Sequence, residues 1–499
     1  MKKALFIIAL LLSFFAKGQY NYSPRCVKAH ELISSLRFDE AAILIKAEKK
    51  AMPENLVPHM LEGYRDFLML IVGENEDDYE SLRAIQNQRI DILRNGNSES
   101  PWYLSSIAMI NLQWAFVHMS FGSYVNAARE ARRAYLILEQ NNKRYPGFLP
   151  DQLGLGVMHA LIGTIPDNMR WIASLFNMEG SVDSGREELF NVLAEAGESG
   201  HPYLSDEALF FLSFIDLNLQ ADKNKALELL EYYENSADSN LMLIFSLSKI
   251  YMQTGRTDDA INLLIKRPSG NAYYPFYYLD YLTGLAKLNR LDTDADTYFL
   301  RFTTNFKGKS YIRSAYQRRA WCALLKGDTL AYRKNMEKVK IYGNNISDGD
   351  KLALREAQQD LVPNICLLKA RLLFDGGFYE QAGHVLANAN CMLTAERDKL
   401  EYHYRRGRIC HAIGAHDEAL QYYDTTIYLG RDLPYYFAAN AALQAGNIHE
   451  SDGNFEKAGN YYRFCMKMDN QEYKNSIRQK AKAGLNRINK LLHKEDEER

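Results

Sequence analysis

Proline and tryptophan are scarce in this 499-residue chain, at 12 and four copies. So few prolines leave long stretches free to form uninterrupted helices, and they exclude a collagen-like or proline-rich chain. Charge of one sign is missing too. The 60 basic and 62 acidic side chains leave a formal net charge of −2. Such a balance provides no broad field for nucleic acid. Beyond the first residues no segment approaches 18 consecutive apolar residues, so no later transmembrane helix is expected. The six cysteines (Cys26, Cys322, Cys366, Cys391, Cys410 and Cys465) include no CxxC pair. They read as small buried hydrophobes, and Cys391 with Cys366 or Cys410 is the alternative, a disulfide. What is present is ordinary for a folded chain: 47% hydrophobic, 24% charged and 12% aromatic residues, which excludes disorder.

The first 18 residues read as an address. Lys2 and Lys3 precede an apolar run from Ala4 to Phe15, broken only by Ser13, and Ala16 and Gly18 put small residues at −3 and −1 of a cut before Gln19. Losing Lys2, Lys3 and Lys17 would take the net charge from −2 to −5. Cys26 follows Ser23, Pro24 and Arg25 rather than a lipoprotein cleavage box, so no lipid anchor is expected. The expected location is the periplasm or cell envelope.

A spacing recurs along the chain. Gly407, Gly414, Ala419 and Tyr423 are offset by seven, five and four residues, and Gly446, Gly453, Ala458 and Tyr462 repeat those offsets. So do Ala370, Gly377, Ala382 and Leu386, and Ser248, Gly255, Ala260 and Leu264. Ala29, Leu36, Ala41 and Ile45 fit with leucine in the glycine position. A helical hairpin explains the residue types. Small side chains let two helices approach. The glycine ends the first helix by entering the left-handed region, and the bulky residue fills the space between the pair. Acidic pairs such as Asp39-Glu40, Asp258-Asp259 and Asp417-Glu418 suit the start of each second helix.

This pattern resembles the tetratricopeptide repeat (TPR) family. Phe38 to Ala41 and Phe455 to Ala458 look like its second-helix start, and Pro53 falls where its closing proline is expected. The units depart from the 34-residue repeat: the spacing is 37 residues from Ala370 to Gly407 and 39 from Gly407 to Gly446. Gly284 with Ala295, and Ala320 with Ala331, are one residue short between their small positions. The resemblance implies an all-α, right-handed α-solenoid of stacked antiparallel helix pairs.

On this reading residues 1–18 are a signal peptide and 19–145 hold N-terminal helix pairs. Residues 146–200 are an insert that breaks the rhythm, and 201–360 hold degenerate repeats. Residues 361–470 hold the clearest repeats, 471–493 a capping helix and 494–499 a charged tail. In the insert, Gly154, Gly156, Ala160 and Gly163 read as one helical side. Met169, Trp171, Ile172, Leu175, Phe176 and Met178 follow as an apolar stretch, and the insert is expected as a helix plugged into the bend between two arrays, with a ligand slot or a membrane-facing edge as the alternatives. Asp348 to Gln358 reads as an exposed linking helix.

No catalytic motif rises from the chain. HExxH, P-loop, GxGxxG and GxSxG patterns are missing, and His411 and His416 lack a third ligand. Ser246 to Lys249 spells SxxK inside a repeat helix without its companion motifs. A non-catalytic protein without cofactor or metal is expected. In TPR proteins the first helices of successive pairs line the concave face. By that resemblance the binding groove comprises Phe245, Lys249, Met252, Arg371, Phe374, Tyr404, Arg408, His411, Asn440 and Asn447. A succession of donors at Lys249, Arg371, Arg408 and Asn447 suits a carboxylate or an extended peptide. The expected function is a scaffold of the cell envelope that binds a protein or peptide, with the oligomeric state left open. The alternative is a solenoid that binds a glycan or lipid through aromatic residues and the 154–185 segment. An apolar cavity would mark the lipid case.

Overall fold

A computed structural model describes residues 18–165, 178–233, 239–387, 393–469 and 472–497. Residues 1–17, which are most of the expected signal peptide 1–18, Met169 to Phe176 of the insert, and Cys391 lie outside the described residues. Among the described residues the regular structure is helical, apart from two isolated bridges that tie Gly18 to Gly96 and Gln19 to Asn55. The helices form antiparallel pairs. They include Pro24–Ser34 with Phe38–Ala51, Pro101–Ser120 with Tyr124–Arg144, Leu241–Gln253 with Thr257–Lys266, and Glu396–Ala412 with His416–Gly430. First helices also touch the first helices of neighbouring pairs: Glu396–Ala412 meets both Ile365–Asp375 and Phe437–Ser451. Paired helices stacked in this way are a TPR-like α-solenoid.

The same stop closes hairpin after hairpin. Gly255, Gly377, Gly414 and Gly453 all have φ between 74° and 83°. The following residue then donates its N–H to a carbonyl five residues back, as Phe378 does to Leu373 at 2.9 Å and Ala415 to Cys410 at 2.9 Å. This is a Schellman closure, which satisfies carbonyls that a helix end leaves open. Leu36 takes the same conformation at φ 64° although it carries a side chain, and Arg37 closes onto Leu32 at 2.8 Å. Leu291 does so at φ 66° in one of the shortened units. Three of the first helices start on side-chain caps: in Pro101–Ser120 Ser100 accepts from Trp102, in Leu241–Gln253 Asn240 accepts from Met242 and Leu243, and in Ile365–Asp375 Asn364 accepts from Cys366 and Leu367.

The chain divides into two compact units. The first comprises Met1–Ala286, Asp296–Arg319 and Asn335–Arg355, and the second Lys287–Ala295, Ala320–Lys334 and Glu356–Arg499. In the second unit the small positions are where the sequence spacing puts them. A Cβ on Gly407 would lie 2.7 Å from the Tyr423 ring, and one on Gly446 would lie 2.5 Å from the Tyr462 ring. Ala382, Ala419 and Ala458 are fully buried.

Two local expectations change. The helix Asp348–Gln359 is not an exposed linker: Asp350, Ala353 and Ala357 are buried. Asp350 accepts from the backbone N–H of Tyr311 at 2.6 Å and of Ser314 at 2.9 Å. The polar residue thus caps the start of a different helix, Ile312–Leu325, which composition cannot disclose. In the insert, Gly156 faces the backbone of Gly185, and Gly163 faces Ser181 and Val182. Gly154 instead faces Leu138 and Met109, because two residues along a helix turn the side by about 200°.

Candidate functional site

Three consecutive first helices of the second unit, Ile365–Asp375, Glu396–Ala412 and Phe437–Ser451, together with the terminal helix Lys474–Glu497, border a cleft of about 230 Å³. Five of the residues singled out from the sequence line it: Arg371, Phe374, Tyr404, Arg408 and Asn440. They converge because each first helix presents the same side, so that Arg371 and Arg408 occupy equivalent positions in neighbouring pairs.

Aromatic faces position both guanidinium groups. The Arg371 guanidinium carbon sits 4.8 Å from the centre of the Trp321 ring, and that of Arg408 sits 4.8 Å from the Phe374 ring and 5.9 Å from Tyr404. Arg408 Nη1 donates to the Tyr404 hydroxyl at 3.0 Å. The nearest acid to Arg371 is Asp375, loosely placed at 3.9 Å. Burial alone would lower the pKa of Arg371, but Asp375, Tyr436, Glu356 and Glu401 together hold it above its usual value. Among the described residues neither arginine is locked into a fork-to-fork pair with a carboxylate, so the stacked guanidiniums keep donors for a ligand.

Arg405 differs. Its Nε donates to Glu401 at 2.8 Å, and Arg397 approaches the same carboxylate at 3.4 Å. Burial would raise the pKa of Glu401, yet Arg405, Arg397 and Arg371 hold it below the usual carboxylate range. Arg405 is therefore committed inside the protein. Lys480 adds a fourth cation to the lining, where Asp375 is the single acidic residue.

Sequence reasoning missed Trp321, Arg405, Tyr436 and Lys480. Tyr436 lies edge-on to Tyr404 at 5.7 Å, and burial raises its hydroxyl pKa. The adjacent aromatics Tyr435 and Tyr436 just before a first helix were a usable signal. Trp321 comes from the preceding pair, and no spacing rule connects it to Arg371.

The other candidates do not line this cleft. His411 packs beside Tyr423 and His416; its pKa is pushed down to about 4, first by burial and then by the charges of His416 and Arg408. Asn447 accepts from the Tyr462 hydroxyl at 2.8 Å, a contact within its own helix pair. Phe245 and Lys249 line an apolar cavity in the first unit. Met252, on the same helix as those two, is half-buried and lines neither.

Cys26, Cys322, Cys366, Cys410 and Cys465 are free thiols among the described residues. No described helix is long and apolar enough to cross a membrane.

Stacked helix pairs with a cleft along their first helices define an α-helical repeat protein of the binding type. Residues 439–472, which include the helices Phe437–Ser451 and Phe455–Lys467 almost entirely, match the tetratricopeptide repeat family. That segment is a tetratricopeptide repeat, and the helix pairs around it are TPR-like in their stacking. No curated protein matches the chain.

Proposed function

We propose that this protein is an exported, non-catalytic TPR scaffold whose second unit binds an acidic peptide segment or a C-terminal carboxylate of a partner protein. Helical repeats of this kind typically bind proteins and are typically without catalysis. The observation that carries the finer reading is the pair Arg371 and Arg408. Two guanidiniums, each stacked on an aromatic ring and neither in a bidentate ion pair, share a cleft with one acidic residue. Rigid stacking lowers the entropy lost when a carboxylate is bound, and a guanidinium fork matches two carboxylate oxygens.

The test is an array of short peptides, with free or amidated C-termini and acidic or neutral side chains, probed with the full mature chain. Acidic or free-carboxylate members should bind in preference, and Arg371→Gln with Arg408→Gln should abolish that preference. Equal binding of neutral amidated peptides would remove the assignment. Export rests on Lys2 to Gly18, and N-terminal sequencing of protein from the cell envelope should begin at Gln19.

A further inference from the structure

The first unit holds a partly open cavity of about 490 Å³, within the size range of small-molecule sites (about 300–1,000 Å³). Its wall is mostly apolar and aromatic, with Phe67, Ile71, Phe116, Phe211, Leu243 and Phe245 among its side chains. The helix Leu241–Gln253 gives one face to it: Met242, Phe245, Ser246 and Lys249 recur at steps of three, one and three residues.

The charged residues of the wall separate into two kinds. The acids are engaged. Asp206 accepts from the Asn240 amide at 2.9 Å, Glu207 meets His30 Nε2 at 2.6 Å, and Glu74 accepts from the Ser310 N–H at 3.3 Å. Lys249, the cation, has no hydrogen bond or ion pair among the described residues. Burial lowers its pKa, and no acidic group contributes to offset that. A half-buried ammonium without a counter-charge is unfavourably placed, and an apolar cavity beside it leaves side chains short of packing partners. A single ligand chemistry answers both deficits.

We infer that the cavity binds a single-chain aliphatic carboxylate, with the chain among the phenylalanines and the carboxylate on the Lys249 amino group. Lys249 selects this occupant, because it alone of the wall's charged groups, the others being Glu74, Asp206 and Glu207, lacks a partner among the described residues. An aliphatic amine would place two cations together, and an alcohol would leave the ammonium unpaired. A peptide would bring backbone polar groups that this wall has few means to satisfy. The site shares no residue with the Arg371 and Arg408 cleft, and its ligand differs from a peptide in carrying an aliphatic chain.

Isothermal titration of the full mature chain tests it, using sodium dodecanoate below its micelle concentration, with dodecan-1-ol and dodecyltrimethylammonium as comparisons. Dodecanoate should bind at one site per chain and more tightly than either comparison. Lys249→Met should weaken dodecanoate about tenfold or more, the scale of a lost charge-assisted hydrogen bond, while leaving dodecanol unchanged. Lys249→Arg should retain dodecanoate binding, which separates loss of charge from loss of fold. Equal affinity for dodecanoate and dodecanol, unaltered dodecanoate binding by Lys249→Met, or no dodecanoate binding by the unaltered chain would each overturn the inference.

Discussion

At Gly407 and Gly446 a missing side chain lets a tyrosine ring lie against the backbone of the neighbouring helix. Positions of this kind were legible in the sequence because steric demand acts on one residue at a time: only a small group fits, and the chain repeats the requirement at fixed offsets. Ala419 is the matching small position on the second helix and is fully buried. Ala419→Leu should therefore lower the urea midpoint of the second unit, at a cost of about 1–3 kcal/mol from overpacking. Circular dichroism during denaturation checks this, and an unchanged midpoint would show the contact to be loose. His411 makes a second prediction at this scale. Its pKa in the fold is about 4 against an ordinary value near 6.5. The unfolded chain thus takes up a proton on the imidazole before the folded one does. Stability should be lost as pH falls from about 6.5 to about 4, and His411→Gln should flatten that part of the profile. The residue least legible, Trp321, matters through which pairs stack side by side, a property of assembly rather than of spacing.

The terminal helix Lys474–Glu497 shows how one element closes a stack. Tyr462 is held between Gly446 and Gly484, where an added Cβ on either glycine would lie 2.5 Å from its ring. Glu450 joins the elements: it accepts from Arg487 Nε at 2.7 Å and Nη2 at 2.8 Å, and from the Tyr462 hydroxyl at 2.5 Å. Arg487 and Tyr462 hold the Glu450 carboxylate below the usual range, with Arg487 the larger cause. Ile477, Ala481 and Ile488 are buried on the side that packs against this pair. Such a helix covers apolar surface that an array otherwise leaves open. Gly484→Val should undock it, read as increased binding of an apolar dye and faster proteolysis near residue 474. Unchanged dye binding and proteolysis would contradict the close approach. The helical period of Ile477, Ala481, Leu485 and Ile488 made this element readable in advance. The helix Asp348–Gln359 was misread because a buried cap and a solvated carboxylate look alike in sequence.

Over the whole molecule, the segment 439–472 matches the repeat family, although the steps that lead to it, Ala370 to Gly407 and Gly407 to Gly446, are 37 and 39 residues rather than 34. The solenoid class could be read from the chain, because it depends on residues close in sequence. The cleft was half readable: resemblance placed Arg371, Phe374, Tyr404 and Arg408 on one face, but the Trp321 ring that orients Arg371 comes from elsewhere in the unit. The near-neutral total charge conceals this local excess of cations. Binding there should weaken as salt rises, since the cleft is open to solvent on one side and screening acts over about 10 Å at 0.1 M. The most direct measurement is fluorescence anisotropy of the best free-carboxylate peptide from the array against the unaltered chain, Arg371→Gln, Arg408→Gln and the double variant. Each single change should weaken binding about tenfold, and the double change should abolish it while helicity and thermal midpoint stay unchanged. Undiminished affinity in the double variant would contradict the assignment of this cleft as the binding site.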